Sequence, residues 1–199
     1  MLDWISTNIV EIIGTLSGFL FLYFEIKQSK WLWPVGLFSA LMYIYVFFIA
    51  KFYADMGLQF YYVFISIYGW FHWSGSTGQN KVELAVSNLR MPLFFKLLLA
   101  SLFIYIAISF ILVNYTDSPL PYWDSFTTAL SIVATWMLAR KILEQWLVWV
   151  LVDAVSMGLY FYKELYPTAV LFAVYTVLAL YGYFQWKKDM AKAEAIESK

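Results

Sequence analysis

Asp153 is the residue of this chain whose position most needs a chemical reason. It stands near the midpoint of an apolar run, 145–162, that is long enough to cross a bilayer. Trp146 and Trp149 precede it at i, i+3, i+7 spacing, which places all three on one helix face. An ionised side chain at the bilayer centre costs about 2.5–3.5 kcal/mol on insertion scales, so a function is the first explanation to test. Two indoles and a carboxylate suit a flat aromatic cation, held by stacking or cation–π contact with a counter-ion. The structural alternative makes Asp153 an anchor to a neighbouring helix and the tryptophans members of an interfacial belt.

A second polar face runs along Gln59, Tyr62, Ser66 and Gly69. The corresponding positions of a later run are Phe172, Tyr175, Ala179 and Gly182, so polar groups are present in one copy and absent from the other. Gln59 and Ser66 are read either as substrate contacts or as interhelical hydrogen-bonding groups. Glu11, with Asn8 and Thr15 on its face, is a proton site, a substrate contact or a buried anchor. Trp33 and Tyr175 complete the candidate binding set. His72 reads as a satisfied interfacial histidine, while Asp124 and Lys96 lie near helix ends and can snorkel.

Several chemistries have no residues to perform them. With no Cys and one His, thiolate zinc, Fe–S clusters and His-based metal sites are excluded. Neither a G-x-x-x-x-G-K-[ST] loop nor an H-E-x-x-H helix occurs, and no Lys lies inside the last apolar run for a retinal Schiff base. No metal or cofactor is expected. A membrane enzyme or sensor would be the other class of reading, but it lacks a motif.

These residues are carried by membrane helices. Apolar residues make up 63% of the chain and charged ones 13%, about half the charge of a soluble domain. The 13 basic and 13 acidic residues balance, so nothing points to nucleic acid. Seven stretches approach the roughly 20 residues needed to span a bilayer: 5–23, 33–50, 56–73, 93–113, 122–139, 145–162 and 167–186. The first lacks a basic region before it and a small-residue cleavage site after it, and reads as a retained helix. Pro34, Pro92 and Pro167 sit at helix starts; Pro119 and Pro121 are assigned to the loop before the fifth span. Lys27, Lys30, Lys81, Arg90, Lys96, Arg140, Lys141, Lys187, Lys188, Lys192 and Lys199 fall on one side, against Lys51 and Lys163 on the other. The positive-inside rule then puts the N-terminus outside and the C-terminus inside. Residues 187–199 read as a short solvated cytoplasmic end or, without a function of their own, as a charged extension of the last helix.

The chain also repeats internally. Tyr61–Trp73 and Val174–Trp186 align without gaps, matching Tyr62/Tyr175, Tyr68/Tyr181, Gly69/Gly182, Phe71/Phe184 and Trp73/Trp186. Leu16-Ser17 matches Leu130-Ser131, and the Trp31–Pro34 segment is set against Trp146–Trp149. The expected organisation is a first three-helix repeat over 1–75, a linker with the fourth helix over 76–116, a second repeat over 117–186 and a tail over 187–199. Four helices separate equivalent members, so the repeats run parallel. That is a standard transporter design, with the substrate near the midplane between the repeats.

The strings EIIGTLSG (Glu11–Gly18), LQFYYVFISIYGWFHW (Leu58–Trp73), YWDSFTTALSIVATWMLARKILEQWLVWVLVDAVS (Tyr122–Ser156) and YGYFQW resemble the PnuC family of bacterial vitamin transporters over nearly the whole chain. The resemblance implies an all-α membrane fold of seven helices in a 3+1+3 arrangement of parallel repeats, like the SWEET sugar transporters. It further implies residence in the bacterial inner membrane, assembly as a homo-oligomer with a trimer the first candidate, and facilitated diffusion trapped by intracellular phosphorylation. The usual family substrate is nicotinamide riboside; a related branch, PnuT, carries thiamine. Asp153 and Ser66 stand where the riboside branch tends to have Asn, which tilts the expectation towards thiamine, with nicotinamide riboside the alternative. Glu11 and Asp153, as intramembrane acids, keep a proton-coupled mechanism open.

Overall fold

The structure, a computed structural model, describes residues 16–50, 53–74 and 84–197. The chain forms two compact units, Met1–Leu84 and Ala85–Lys199. In the first lie α1 (Leu16–Ile26), α2 (Leu32–Ala50) and α3 (Tyr53–Ser74). In the second lie α4 (Met91–Tyr115), α5 (Pro121–Ala139), α6 (Gln145–Tyr162) and α7 (Tyr166–Glu197). The only sheet-like pairing among the described residues is one bridge, Ser87 to Ile142.

Helices stand at all seven expected places, α1 from Leu16 on because residues 5–15 of its span lie outside the described residues, and most ends shift by one to three residues. Pro121 opens α5 instead of belonging to the loop before it, because a first-turn residue has no intrahelical use for its N–H. The C-terminal tail continues α7 as helix to Glu197. At 1.5 Å per residue, its 32 residues extend about 48 Å, well past the roughly 30 Å of a hydrocarbon core.

Among the described residues α4, α6 and α7 are both long and apolar enough to cross a membrane unaided. α5 falls short for a reason visible in its surroundings. It carries the largest buried set of any described helix, from Ser125 through Ala129, Val133, Ala134 and Thr135 to Ala139, and packs between α4 and α6. Its hydroxyls are satisfied within the helix: Ser125 donates to Pro121 O (2.6 Å), Ser131 to Thr127 O (2.8 Å) and Thr135 to Ser131 O (2.7 Å). Such back-bonding lets polar residues sit away from water without an orphaned donor. α4 is the opposite case, burying only Ser109 and exposing Phe94, Phe95, Leu99, Phe103 and Phe110. Leu93, Leu97 and Ile104 of α4 pack on Val133 and Met137 of α5.

Two helix connections, one in each unit, are built alike. After α1, the N–H of Gln28 donates to Glu25 O (3.0 Å) and that of Ser29 to Phe24 O (2.8 Å). After α5, the N–H of Lys141 donates to Leu138 O (2.9 Å) and that of Ile142 to Met137 O (3.0 Å). Both are Schellman caps, each with its C′ residue left-handed: Gln28 at φ 51° and Lys141 at φ 50°. The next helices then start alike, Leu32 N–H on Ser29 O (3.1 Å) and Gln145 N–H on Ile142 O (3.2 Å). Every one of these residues is 113 positions from its counterpart.

The second connection is also held from outside. Ser87 donates to Lys141 O (3.0 Å) and accepts from the N–H of Leu143 (2.9 Å). The Glu144 carboxylate accepts from the N–H of Leu89 at 2.8 Å. The segment leading into α4 is thereby fixed to the turn between α5 and α6. At the other end of these helices, Lys163 pairs with Asp124 (3.7 Å), which also accepts from Ser118 Oγ (2.6 Å).

Candidate functional site

The inward face of α6 carries Trp146, Trp149 and Asp153, as their spacing requires, and Ser156 continues it. Asp153 is 7% exposed, and no hydrogen bond or ion pair reaches its carboxylate among the described residues. Burying a carboxylate is costly unless something pairs with it. The indole Nε1 atoms of Trp146 and Trp149 are likewise buried without an acceptor. Among the described residues, one helix face thus offers a buried carboxyl group and two indole donors without partners.

The three residues differ in freedom. Trp146 is fully enclosed. Its ring lies edge-on to Trp186 (5.6 Å, 88°) and covers Gly182, where a Cβ would fall 2.5–2.7 Å from three indole carbons. The ring is therefore enclosed by packing, with its Nε1 left without an acceptor. Trp149 is half-buried and has no ring partner among the described residues. Tyr175, on α7, is half-buried and edge-on to Phe172 (5.8 Å, 81°), which stacks on Tyr160 (5.1 Å, 21°).

The remaining candidates lie in the first unit. Trp33 repeats the environment of Trp146: it is 1% exposed, edge-on to Trp73 (5.5 Å, 89°), and seated on Gly69 even more closely. Its Nε1 also has no acceptor. Ser66 is buried, with its Oγ 3.2 Å from where a Cβ on Gly36 would lie. Gln59 and Tyr62 are half-buried on α3, and the Tyr62 ring is 5.5 Å from that of Tyr61. Glu11, with Asn8 and Thr15, lies outside the described residues.

Two features were not singled out from sequence. Ser156, 7% exposed, lies three residues beyond Asp153, and extending the i, i+3, i+7 series by one step would have found it. The tight Trp–Gly seats could not be found that way, because each depends on a glycine 36 residues downstream.

An all-helical membrane protein with a carboxyl group and indoles on one inward helix face has the build of a small-molecule transporter. The family model described as nicotinamide mononucleotide transporter matches residues 8–188, and the chain belongs to that family. The nicotinamide riboside transporter PnuC of Escherichia coli (strain K12) is 27% identical over 201 residues, covering 89% of this chain and 84% of its own. The riboflavin/roseoflavin transporter RibM of Streptomyces davaonensis is 25% identical over 182 residues, covering 88% and 83%. A crystal structure of the vitamin B3 transporter PnuC superposes with a TM-score of 0.72 at 24% identity, over 93% of this chain and 83% of that one. This chain is a membrane vitamin transporter of the PnuC type, resident in the bacterial inner membrane.

Proposed function

We propose that the chain imports a cationic aromatic B vitamin, with nicotinamide riboside as the first candidate. The observation that carries the proposal is Asp153, a buried carboxylate with no partner, one turn from the half-buried Trp149. The pyridinium ring of nicotinamide riboside supplies the missing positive charge and a flat face for the indole. Its ribose supplies something more, a vicinal diol. A carboxylate is a good double acceptor for ribose hydroxyls, the role an acidic residue plays in dinucleotide-binding folds. Asp at position 153 is therefore compatible with a riboside, and the expectation drawn from its replacing Asn loses its force. The relatives support the same order, since the Escherichia coli protein is named for nicotinamide riboside.

Thiamine is the second reading. It too is a flat cation, and Ser66 in place of an amide leaves fewer groups for a carboxamide. Riboflavin, for which RibM is named, is neutral and would leave Asp153 unpaired.

The wider scheme is a seven-span protein, N-terminus outside, made of two parallel three-helix repeats and working by facilitated diffusion as a homo-oligomer. The repeat is supported by the constant offset of 113 residues that relates the two Schellman caps, the two Trp–Gly seats and the two edge-on tryptophan pairs. That offset aligns Trp146 with Trp33, and not with Trp31. Titration calorimetry on the purified protein decides the substrate. Nicotinamide riboside should bind more tightly than thiamine, and riboflavin should give no heat; tighter binding of thiamine would reverse the assignment.

A further inference from the structure

The constant offset also shows where the two units differ, and one difference has the form of a size exchange. In the first unit, a Cβ on Gly36 of α2 would meet the Phe21 ring of α1 at 3.0 and 3.4 Å and Ser66 Oγ of α3 at 3.2 Å. That Cβ direction therefore points into the space enclosed by three helices, and Phe21 already fills it. Shifted by 113 residues, Gly36 becomes Trp149, Phe21 becomes Ala134, Ser66 becomes Ala179 and Ala40 becomes Asp153. The large residue has moved from the first helix of the set to the second. Ala134 and Ala179 are 0% and 2% exposed, so the residues that the offset sets against Phe21 and Ser66 are small and enclosed.

The geometry points to Ala134 and Ala179 as positioning residues that together form a seat for the Trp149 indole, while the equivalent seat of the first unit is closed by Phe21. Close-packed interiors do not leave room for both large residues. Phe at 134 and Trp at 149 exclude one another, just as Phe21 coexists only with Gly36. Seating Trp149 in this way turns its buried Nε1, which has no acceptor, towards the same interior as Asp153. At the positions equivalent to Trp149 and Asp153 the first unit has Gly36 and Ala40, so the two units cannot offer the ligand the same groups. This extends the site reading above and rests on it for the ligand, though not for the packing.

The test is an exchange of sizes measured by melting and by binding of nicotinamide riboside. Ala134→Phe should melt lower and bind at least tenfold more weakly. Ala134→Phe combined with Trp149→Gly rebuilds the Phe21–Gly36 arrangement in the second unit, and it should regain most of the lost melting temperature without regaining binding. Lost binding in Ala134→Phe, which still carries the Trp149 indole, reports on the position of that indole, and the melting recovery of the double variant reports on the packing. The inference is overturned if Ala134→Phe binds normally, or if the double variant melts no higher than Ala134→Phe alone. Trp149→Ala alone separates the two levels: normal binding by that variant removes the indole from the site, while the melting recovery still judges the seat.

Discussion

Gly182→Ala is the perturbation whose size can be worked out most directly from the structure. The added Cβ would lie 2.5 Å from Trp146 Cη2, 2.6 Å from Cζ3 and 2.7 Å from Cζ2. Carbon atoms prefer to be about 3.5–4.0 Å apart, so one methyl group overlaps three atoms of one ring by roughly 1 Å. The ring has no easy escape, since Trp186 stands against it edge-on at 5.6 Å. Overpacking of this kind costs about 1–3 kcal/mol, and a rigid aromatic belongs at the upper end. Ala regains up to about 1 kcal/mol over Gly in a helix. The net expectation is a loss of about 2 kcal/mol, or roughly 4–8 °C for a chain of this length.

Gly158 provides the control. It lies on α6, and a Cβ there meets nothing within 4 Å, so Gly158→Ala should be neutral or raise the melting temperature. The assay is thermal melting of monodisperse protein in detergent, with Gly182→Ala/Trp146→Phe as the relieving pair. If Gly182→Ala melts with or above the parent, as Gly158→Ala does, the seat is not a constraint. The argument from close approach would then be wrong for Gly69 and Trp33 as well.

Three further outcomes are expected. Asp153→Asn should weaken nicotinamide riboside binding at least tenfold, about 1.4 kcal/mol, and raise the ligand-free melting temperature because an unpaired buried charge has gone; normal binding with a lower melting point would make the residue an anchor. A reporter fused after Lys199 should be cytoplasmic and one at Asp3 periplasmic, and finding both on one side would end the seven-span topology. In proteoliposomes, collapsing proton and sodium gradients should leave equilibrative uptake of nicotinamide riboside unchanged, whereas accumulation driven by an imposed pH gradient would make the intramembrane acids coupling groups.

The helices and the Asp153 face were legible in the sequence because length, apolarity and spacing are local quantities. What was not legible depended on distant partners. The turns after α1 and α5 end on Gln28 and Lys141 in the left-handed region, where a non-glycine residue costs about 1–2 kcal/mol, so the usual glycine signal is missing. Trp146 looked like a belt residue beside a helix start; Gly182 turns it into a buried one. Tryptophan stands at both 31 and 33, so sequence spacing cannot say which of them matches Trp146; the seat on a glycine 36 residues downstream is shared by Trp33. The docking of Ser87 and Leu89 onto the α5–α6 turn has no sequence signature at all.

Those distant contacts explain how a costly carboxylate can be held ready for a ligand. α6 is fixed at its start by the Ser87 bridge and by Glu144 on the Leu89 N–H. One turn on, it is fixed by Trp146 over Gly182, and at its end by the Lys163–Asp124 pair. The last contributes least, since a partly exposed ion pair is worth at most about 1 kcal/mol. The backbone bridge and the indole seat do more, because neither slips without orphaning a buried group or opening a void. Asp153 lies between these fixed points, seven residues past Trp146, with its side chain enclosed and unpaired. A free helix would rotate such a residue towards any available donor; a helix held at both ends cannot. On the proposed reading, the cost of burying the carboxylate is met by packing in the empty protein and would be relieved by a bound cation. Binding so arranged would lose little to reorganisation, since α6 is held in place by its packing and by the segment leading into α4.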